Sequence, residues 1–281
     1  MANLDPRLHA FRPDLADVKL QGRVDAKKFV EGVAMEVVIP IATLHREAST
    51  TATQTTQALF GEKFMAFEVA GDWVWGQLRR DGYVGYIAKA AVSDELTNPT
   101  HRVSVPATFL YPLPDIKSQT TVSLPMNARL EIVESDEKFS KLSNGRHVFT
   151  KHIRPLAEAE ADFVGVAEKF LDVPYYWGGK TSHGLDCSGL VQTSLEACGM
   201  FSPRDTDMQE TQLGQSLLIN DLDGLRRGDL VFWKGHVGIM ADQKTLLHAN
   251  GYHMLTVKEP LSEAAARIAG TYGPVTSIRR L

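Results

Sequence analysis

The chain has 281 residues, 43% of them hydrophobic and 23% charged, with a formal net charge of −4. At roughly 150 residues per domain this implies two or three ordinary globular units. The mild acidic balance, with no Lys/Arg run longer than two, excludes the basic footprint of a nucleic-acid or anionic-membrane binder.

Residues 1–32 mix charges around Pro6 and Pro13 and are expected to form an N-terminal arm of modest helical tendency, packed on the segment after it. The chain does not open on an apolar stretch of about 7–15 residues, and no run approaches the ~18 apolar residues of a membrane span. The expectation is a cytoplasmic protein with no membrane partner. Cysteine use agrees. Cys187 and Cys198 fall in one predicted helix, about 16 Å apart by helical rise, beyond disulfide reach, which suits a reducing compartment.

Residues 33–98 alternate short apolar runs with turns. Phe64–Val69 leads through Ala70-Gly71-Asp72 into Trp73–Leu78, and Asp81-Gly82 precedes Tyr83–Ile87. This spacing predicts a small β-barrel. The pattern returns in residues 99–156: Gly61–Gln77 aligns at constant offset with Asn127–Ser143, and Asp81-Gly82 matches Asn144-Gly145. The second copy is degenerate, with Arg146 where the first has Tyr83.

From residue 157 to 281 the texture changes to helices and then strands, the mark of an α+β domain. Apolar spacing predicts helices over Ala157–Leu171 and Leu185–Met200, and strands with tight turns come after Gly228. Asp186 stands where an N-cap belongs, which puts Cys187 in the first helical turn. There the helix dipole and unpaired N–H groups favour thiolate over thiol, so a lowered pKa is expected. A free cysteine is more often a small buried hydrophobe. The polar neighbours Asp186 and Ser188 and the preceding loop Tyr175-Tyr176-Trp177-Gly178-Gly179 weigh against that here, whereas Cys198 reads as core.

Arg227–Met240 reads as two strands around a Lys-Gly turn, with His236 opening the second, and His248 lies on the next strand. A strand histidine is usually structural, but a cysteine nucleophile needs a base that a third polar group orients. His236 fits the base and His248 the orienting group. The two can share a face only if their hairpin carries an odd loop or a bulge, with Gly238 opposite or diagonal to His248. The zinc spacings C-x-x-C and H-x-x-x-H are lacking, so neither metal nor other cofactor is expected.

At Tyr175–Gly179, Leu185–Val191, Pro203–Thr206, Arg226–Trp233 and His236–Ile239 the sequence resembles the NlpC family of cell-wall cysteine peptidases. The two repeats in front resemble bacterial SH3-like domains. The resemblance implies a papain-like catalytic domain at 157–281 behind SH3-like barrels at 33–98 and 99–156. It also implies hydrolysis of the γ-D-glutamyl bond to diaminopimelate or lysine in cell-wall peptides with a free N-terminal L-Ala, during murein recycling. Carried over, Cys187 is nucleophile, His236 base and acid, and His248 third member. Tyr175 helps form the oxyanion hole, and Trp177 and Trp233 wall the cleft. Asp186 takes the L-Ala amine; Ser188, Asp205 and Thr206 line the D-Glu pocket. Tyr83 and Glu47 are the nearest matches to an SH3 tyrosine and glutamate that aid amine recognition. The partners implied are muropeptides and not nucleic acid, met by a monomer. Two other readings remain: an inactive peptidase fold serving as a wall-binding module, which the intact Cys187, His236 and His248 oppose, and a Cys-dependent acyl- or amidotransferase.

Overall fold

Strands form early in the chain because β-branched and aromatic residues alternate between glycine turns. Lys63–Ala70, Trp73–Leu78 and Val84–Ala88 are the centre of a seven-stranded antiparallel sheet that also takes in 33–37, 41–45, 54–59 and 92–93. It closes over Leu44, Phe64, Val74, Leu78, Tyr83 and Ile87. The computed structural model describes residues 4–218, 222 and 224–281. The first three residues of the arm, and positions 219–221 and 223, lie outside the described residues.

Residues 101–155 instead form a three-stranded and a five-stranded sheet around Val103, Leu110, Leu124, Leu130, Leu142 and Val148. Positions aligned between the two segments share backbone shape. Gly61 and Asn127, aligned in the repeat, both take positive φ, 78° and 69°, and Gly82 and Gly145 do the same at 77° and 81°. A side chain at 61 would meet the Arg129 carbonyl oxygen at 2.3 Å, so the first copy needs glycine where the second uses asparagine. A single 3-10 turn succeeds the last long strand in each copy, at Lys89–Ala91 and Thr150–His152.

The arm differs from expectation. In place of a helix it makes a short parallel pair, Leu15–Asp17 with Lys28–Val30, joined through one 3-10 turn. Its anchor is Arg12, which stacks 4.4 Å from the Trp75 ring and bonds Glu68 and the Tyr86 hydroxyl. A planar cation over an indole makes use of both the charge and the flat face. The packing partner decided this segment, because its own helical tendency is weak.

The chain divides into two compact units, Met1–Leu156 and Ala157–Leu281. The second unit is built on a six-stranded antiparallel sheet in the order 215–217, 277–280, 230–233, 236–240, 245–250, 255–260. Helix Cys187–Ala197 packs against the two adjacent strands that carry the histidines and against helix Phe163–Glu168. Helix Leu261–Tyr272 lays Leu261, Ala264 and Ile268 on Trp233, Met240 and Leu246.

Both predicted helices are shorter than their apolar spacing suggested. The first begins only at Phe163, where the Asp162 side chain accepts from Val164 N–H. Asp172, in the left-handed region at φ 64°, turns the chain away before Pro174. The second starts at Cys187, because Leu185 is taken into a two-residue strand beside Lys180. It stops where Gly199 adopts φ 72° and the N–H groups of Gly199 and Met200 return to Glu196 and Leu195. All eleven residues of this helix are buried, polar ones included. Its hydroxyls are used internally: Thr193 donates to Lys180 O and Ser194 to Leu190 O. Among the described residues no helix is long and apolar enough to cross a membrane.

Candidate active site

Asp186 starts the site. Its Oδ1 accepts the Gly189 N–H at 2.7 Å, the capping bond that fixes where the helix begins and hence where Cys187 stands. Cys187 is a free thiol, 6% exposed. Thr206, first residue of helix Thr206–Gln212, brings its hydroxyl to 3.7 Å from the sulfur. The backbone N–H of Val237 also donates to that sulfur. Val237 comes directly after His236, so the thiol lies against the strand that His236 opens.

The histidine hairpin resolves the register question. Ile239 pairs with Leu247 and Met240 with Leu246, and Ala241 N–H bonds Thr245 O, leaving three residues at the tip. An odd loop keeps the parity, so continuing this register sets Gly238 opposite His248 and His236 diagonal to it. The two rings meet, with His236 Nε2 and His248 Nδ1 2.8 Å apart. Beneath them lies Trp233, its ring 5.8 Å from that of His236.

The electrostatics overturn the expected thiolate. Burial first, and the Asp186 charge second, push the Cys187 thiol up to about 11, against smaller opposing effects from Val237 N–H, the Thr206 hydroxyl and Ser188 N–H. The helix start is real, but loss of water outweighs the dipole at a fully enclosed sulfur. Burial, then the His248 and Arg267 charges, take His236 down to about 3. The resting pair is therefore a neutral thiol and a neutral imidazole.

Sequence reasoning missed Arg204, which is fully buried and grips Asp186 with both terminal nitrogens, at 3.0 and 2.6 Å. The Asp186 carboxylate also takes Gly178 N–H and the Ser188 hydroxyl. With Gly189 that makes five donors on about four lone-pair positions. Asp186 thus both caps the helix and pairs with Arg204. Ser188 is drawn into the same network, since its Oγ also accepts from Arg204 at 2.8 Å. The signal was the Pro-Arg-Asp-Thr stretch, but nothing in it says that the arginine turns inward.

Tyr175 is half-buried, held by its N–H to Met254 O and by a parallel bridge to Leu185. Burial, and then the Cys187 and Asp186 charges, keep its phenol protonated, as a hydrogen-bond donor must be. Trp177 is 62% exposed in the same loop. Trp233 is no cleft wall: it is wholly buried in the core under helix Leu261–Tyr272, because its strand is covered on that face. Asp205 is half-buried at the head of helix Thr206–Gln212. In the first barrel Tyr83 is a core residue, 4% exposed, since its ring turns into the barrel after the Asp81-Gly82 turn. That enclosure is at odds with the part in amine recognition that the resemblance implied for it. Glu47 is exposed in the turn after strand Ile41–His45.

Close approach explains the glycine after Cys-Ser. A Cβ at Gly189 would stand 2.1 Å from Gly179 O and 2.9 Å from Asp186 Oδ1. Gly189→Ala is expected to lower stability by about 1–3 kcal/mol, as overpacking against backbone does. Gly270→Ala, where nothing lies within 4 Å, should instead gain about 0.5–1 kcal/mol from helix propensity. Urea unfolding of the two variants reads both signs.

A thiol at a buried helix start, beside a strand whose histidine is held by a second histidine, is an arrangement that thiol-dependent enzymes use. Comparison with known proteins narrows this. Residues 172–267 match the NlpC/P60 family and residues 44–92 the bacterial dipeptidyl-peptidase SH3 domain. The chain is 29% identical over 238 residues to a Bacillus subtilis γ-D-glutamyl-L-lysine dipeptidyl-peptidase, covering 74% of this chain and 77% of that one. It is 25% identical over 243 residues to dipeptidyl-peptidase 6 of Lysinibacillus sphaericus, 76% and 86% being covered. A crystal structure of a Bacillus cereus NlpC/P60 family protein superposes with a TM-score of 0.72 at 22% identity, covering 88% of this chain and 99% of that one, and so shares the fold. The chain carries an NlpC/P60 cysteine peptidase domain, papain-like in fold, behind a bacterial SH3 domain.

Proposed function

We propose that this peptidase hydrolyses the γ-D-glutamyl bond to diaminopimelate or lysine in cell-wall peptides, releasing L-Ala-γ-D-Glu from a free N-terminus. The observation that carries the reading is the His236–His248 contact at 2.8 Å, at the head of the strand whose Val237 N–H meets the enclosed Cys187 thiol. The likeness to γ-D-glutamyl-L-lysine dipeptidyl-peptidases, spread over 74% of the chain, supports the bond and the end from which it is counted.

In the proposed sequence His236 takes the thiol proton as sulfur attacks the carbonyl carbon, since neither group is ionised at rest. The tetrahedral oxyanion meets the Cys187 backbone N–H and the Tyr175 phenol. The proton then passes from His236 to the leaving amine, and water, deprotonated by the same imidazole, opens the acyl-enzyme. Thr206, beside the sulfur, and Asp205 border the D-Glu position. Peptides with free amines arise once the sugar has been removed, so the reading includes cytoplasmic recycling of released peptides, which two free thiols suit.

The test is L-Ala-γ-D-Glu-diaminopimelate with products identified by mass spectrometry, alongside the N-acetylated peptide. Release of L-Ala-γ-D-Glu is expected. Acetylation should lower kcat/KM about tenfold to a hundredfold, the ~1–3 kcal/mol that an unpaired polar group costs in a desolvated subsite. Equal rates on both peptides would remove the dipeptidyl part of the proposal.

A further inference from the structure

We propose that Glu259, held by Arg267, is a positioning residue that fixes the proton pattern of the histidine pair, extending the site into a Cys187–His236–His248–Glu259 relay. The proposal rests on the reading of His236 as base and His248 as orienting group.

Register brings the glutamate there. His248 pairs with Val257 in the antiparallel ladder, and Glu259, two residues on, shares that face on the diagonal. Its Oε1 lies 2.6 Å from His248 Nε2. Arg267, from helix Leu261–Tyr272, donates Nη1 to Oε2 at 2.7 Å and Nη2 to Oε1, while stacking 4.4 Å from the Tyr252 ring. Burial alone would raise the carboxyl pKa, but the hydrogen bonds from His248 and Arg267 outweigh it and hold it well below the usual range. Glu259 is therefore an anion that can only accept.

The proton pattern can be derived atom by atom. Because the carboxylate accepts, His248 carries its proton on Nε2. Burial lowers the His248 pKa against the raising influence of Glu259, so the ring is neutral and its Nδ1 is a lone pair. That lone pair needs a donor, which at 2.8 Å is the Nε2–H of His236. His236 is then left with Nδ1 unprotonated, the state of a general base. Asn250 Nδ2 also stands 3.1 Å from His248 Nε2, and its oxygen takes the His253 N–H. A neutral amide at that range does not displace an ionised carboxylate at 2.6 Å. His253, 3.6 Å from Glu259, adds to the cations around the carboxylate only when protonated. When His236 accepts the thiol proton, the positive charge it gains is spread through His248 toward Glu259.

The simple alternative is a salt bridge that only ties helix Leu261–Tyr272 to the sheet. Three readouts on the full chain separate the two: kcat and KM on L-Ala-γ-D-Glu-diaminopimelate, iodoacetamide alkylation of Cys187 at about pH 7, and histidine ¹⁵N spectra. The variants are Glu259→Gln, which keeps the shape without the charge, and Arg267→Met. For Glu259→Gln, kcat and the alkylation rate should both fall about tenfold to a hundredfold, with KM within about twofold. Wild-type spectra should show both rings protonated at Nε2, and Glu259→Gln should lose that single pattern. Arg267→Met, which keeps the carboxylate, should lose less in kcat even if its Tm falls further. Unchanged kcat and alkylation in Glu259→Gln would overturn the proposal, as would equal losses in both variants with the tautomers intact. Alkylation and spectra need no substrate, so a wild type that leaves the peptide uncut would sink the substrate reading and still test the relay.

Discussion

Cys187→Ala abolishes hydrolysis, with kcat falling by about a thousandfold or more, while peptide binding survives. The expectation comes from chemistry that nothing else in the pocket supplies: Thr206 and Ser188 carry hydroxyls, but Ser188 is bound into the Arg204–Asp186 network. Removing one sulfur from a helix already capped by Asp186 leaves the fold in place, so calorimetry on the inactive variant should return a normal titration. Loss of a nucleophile in a concerted unit typically costs far more than loss of any binding interaction. Residual turnover above about a hundredth of the wild type would remove Cys187 from the nucleophile role.

Arg204→Met should cost about 3–5 kcal/mol of stability, the largest single effect expected outside the catalytic residues, because it strands a buried carboxylate. Arg204 is 1% exposed and the Asp186 side chain 10%, so solvent does not screen the pair. Urea denaturation measures the loss. The double variant Arg204→Met with Asp186→Asn should recover part of it, since no unpaired charge then remains buried, although the cap weakens. Activity should not recover with stability, because the guanidinium also fixes Ser188 and, through Asp186, the start of the nucleophile helix. A loss below about 1 kcal/mol in the single variant would show that the ion pair is hydrated and contributes as little as a surface bridge.

Much of this protein is legible in one dimension because its signals are local. Asp186-Cys187-Ser188-Gly189 announces a capped helix with a thiol at its head, since capping involves residues three apart. The repeat from Gly61 to Asn127 is legible because turn geometry selects its own residues, and the shared positive φ at both positions is its structural counterpart. The parity of the His236–His248 hairpin stayed open in the sequence, because it turns on a loop of three residues instead of four, and the pairing of Ala241 with Thr245 decided it. Tertiary structure decided what depends on partners distant in sequence. The Cys187 thiol is raised, not lowered, because burial in the folded domain removes water that a helix start in isolation would keep, and this outweighs the opposing bonds from Val237 and Thr206. Asp186 is paired with a buried cation because Arg204 arrives from 18 residues away. Trp233 is core because helix Leu261–Tyr272 covers its strand, and Glu259 reaches His248 only through cross-strand register and an arginine from that helix. Helix starts and turn parity arise from bonds between near neighbours. Dielectric, charge compensation and the far side of a strand are properties of whatever else packs there, and those partners are set by the fold.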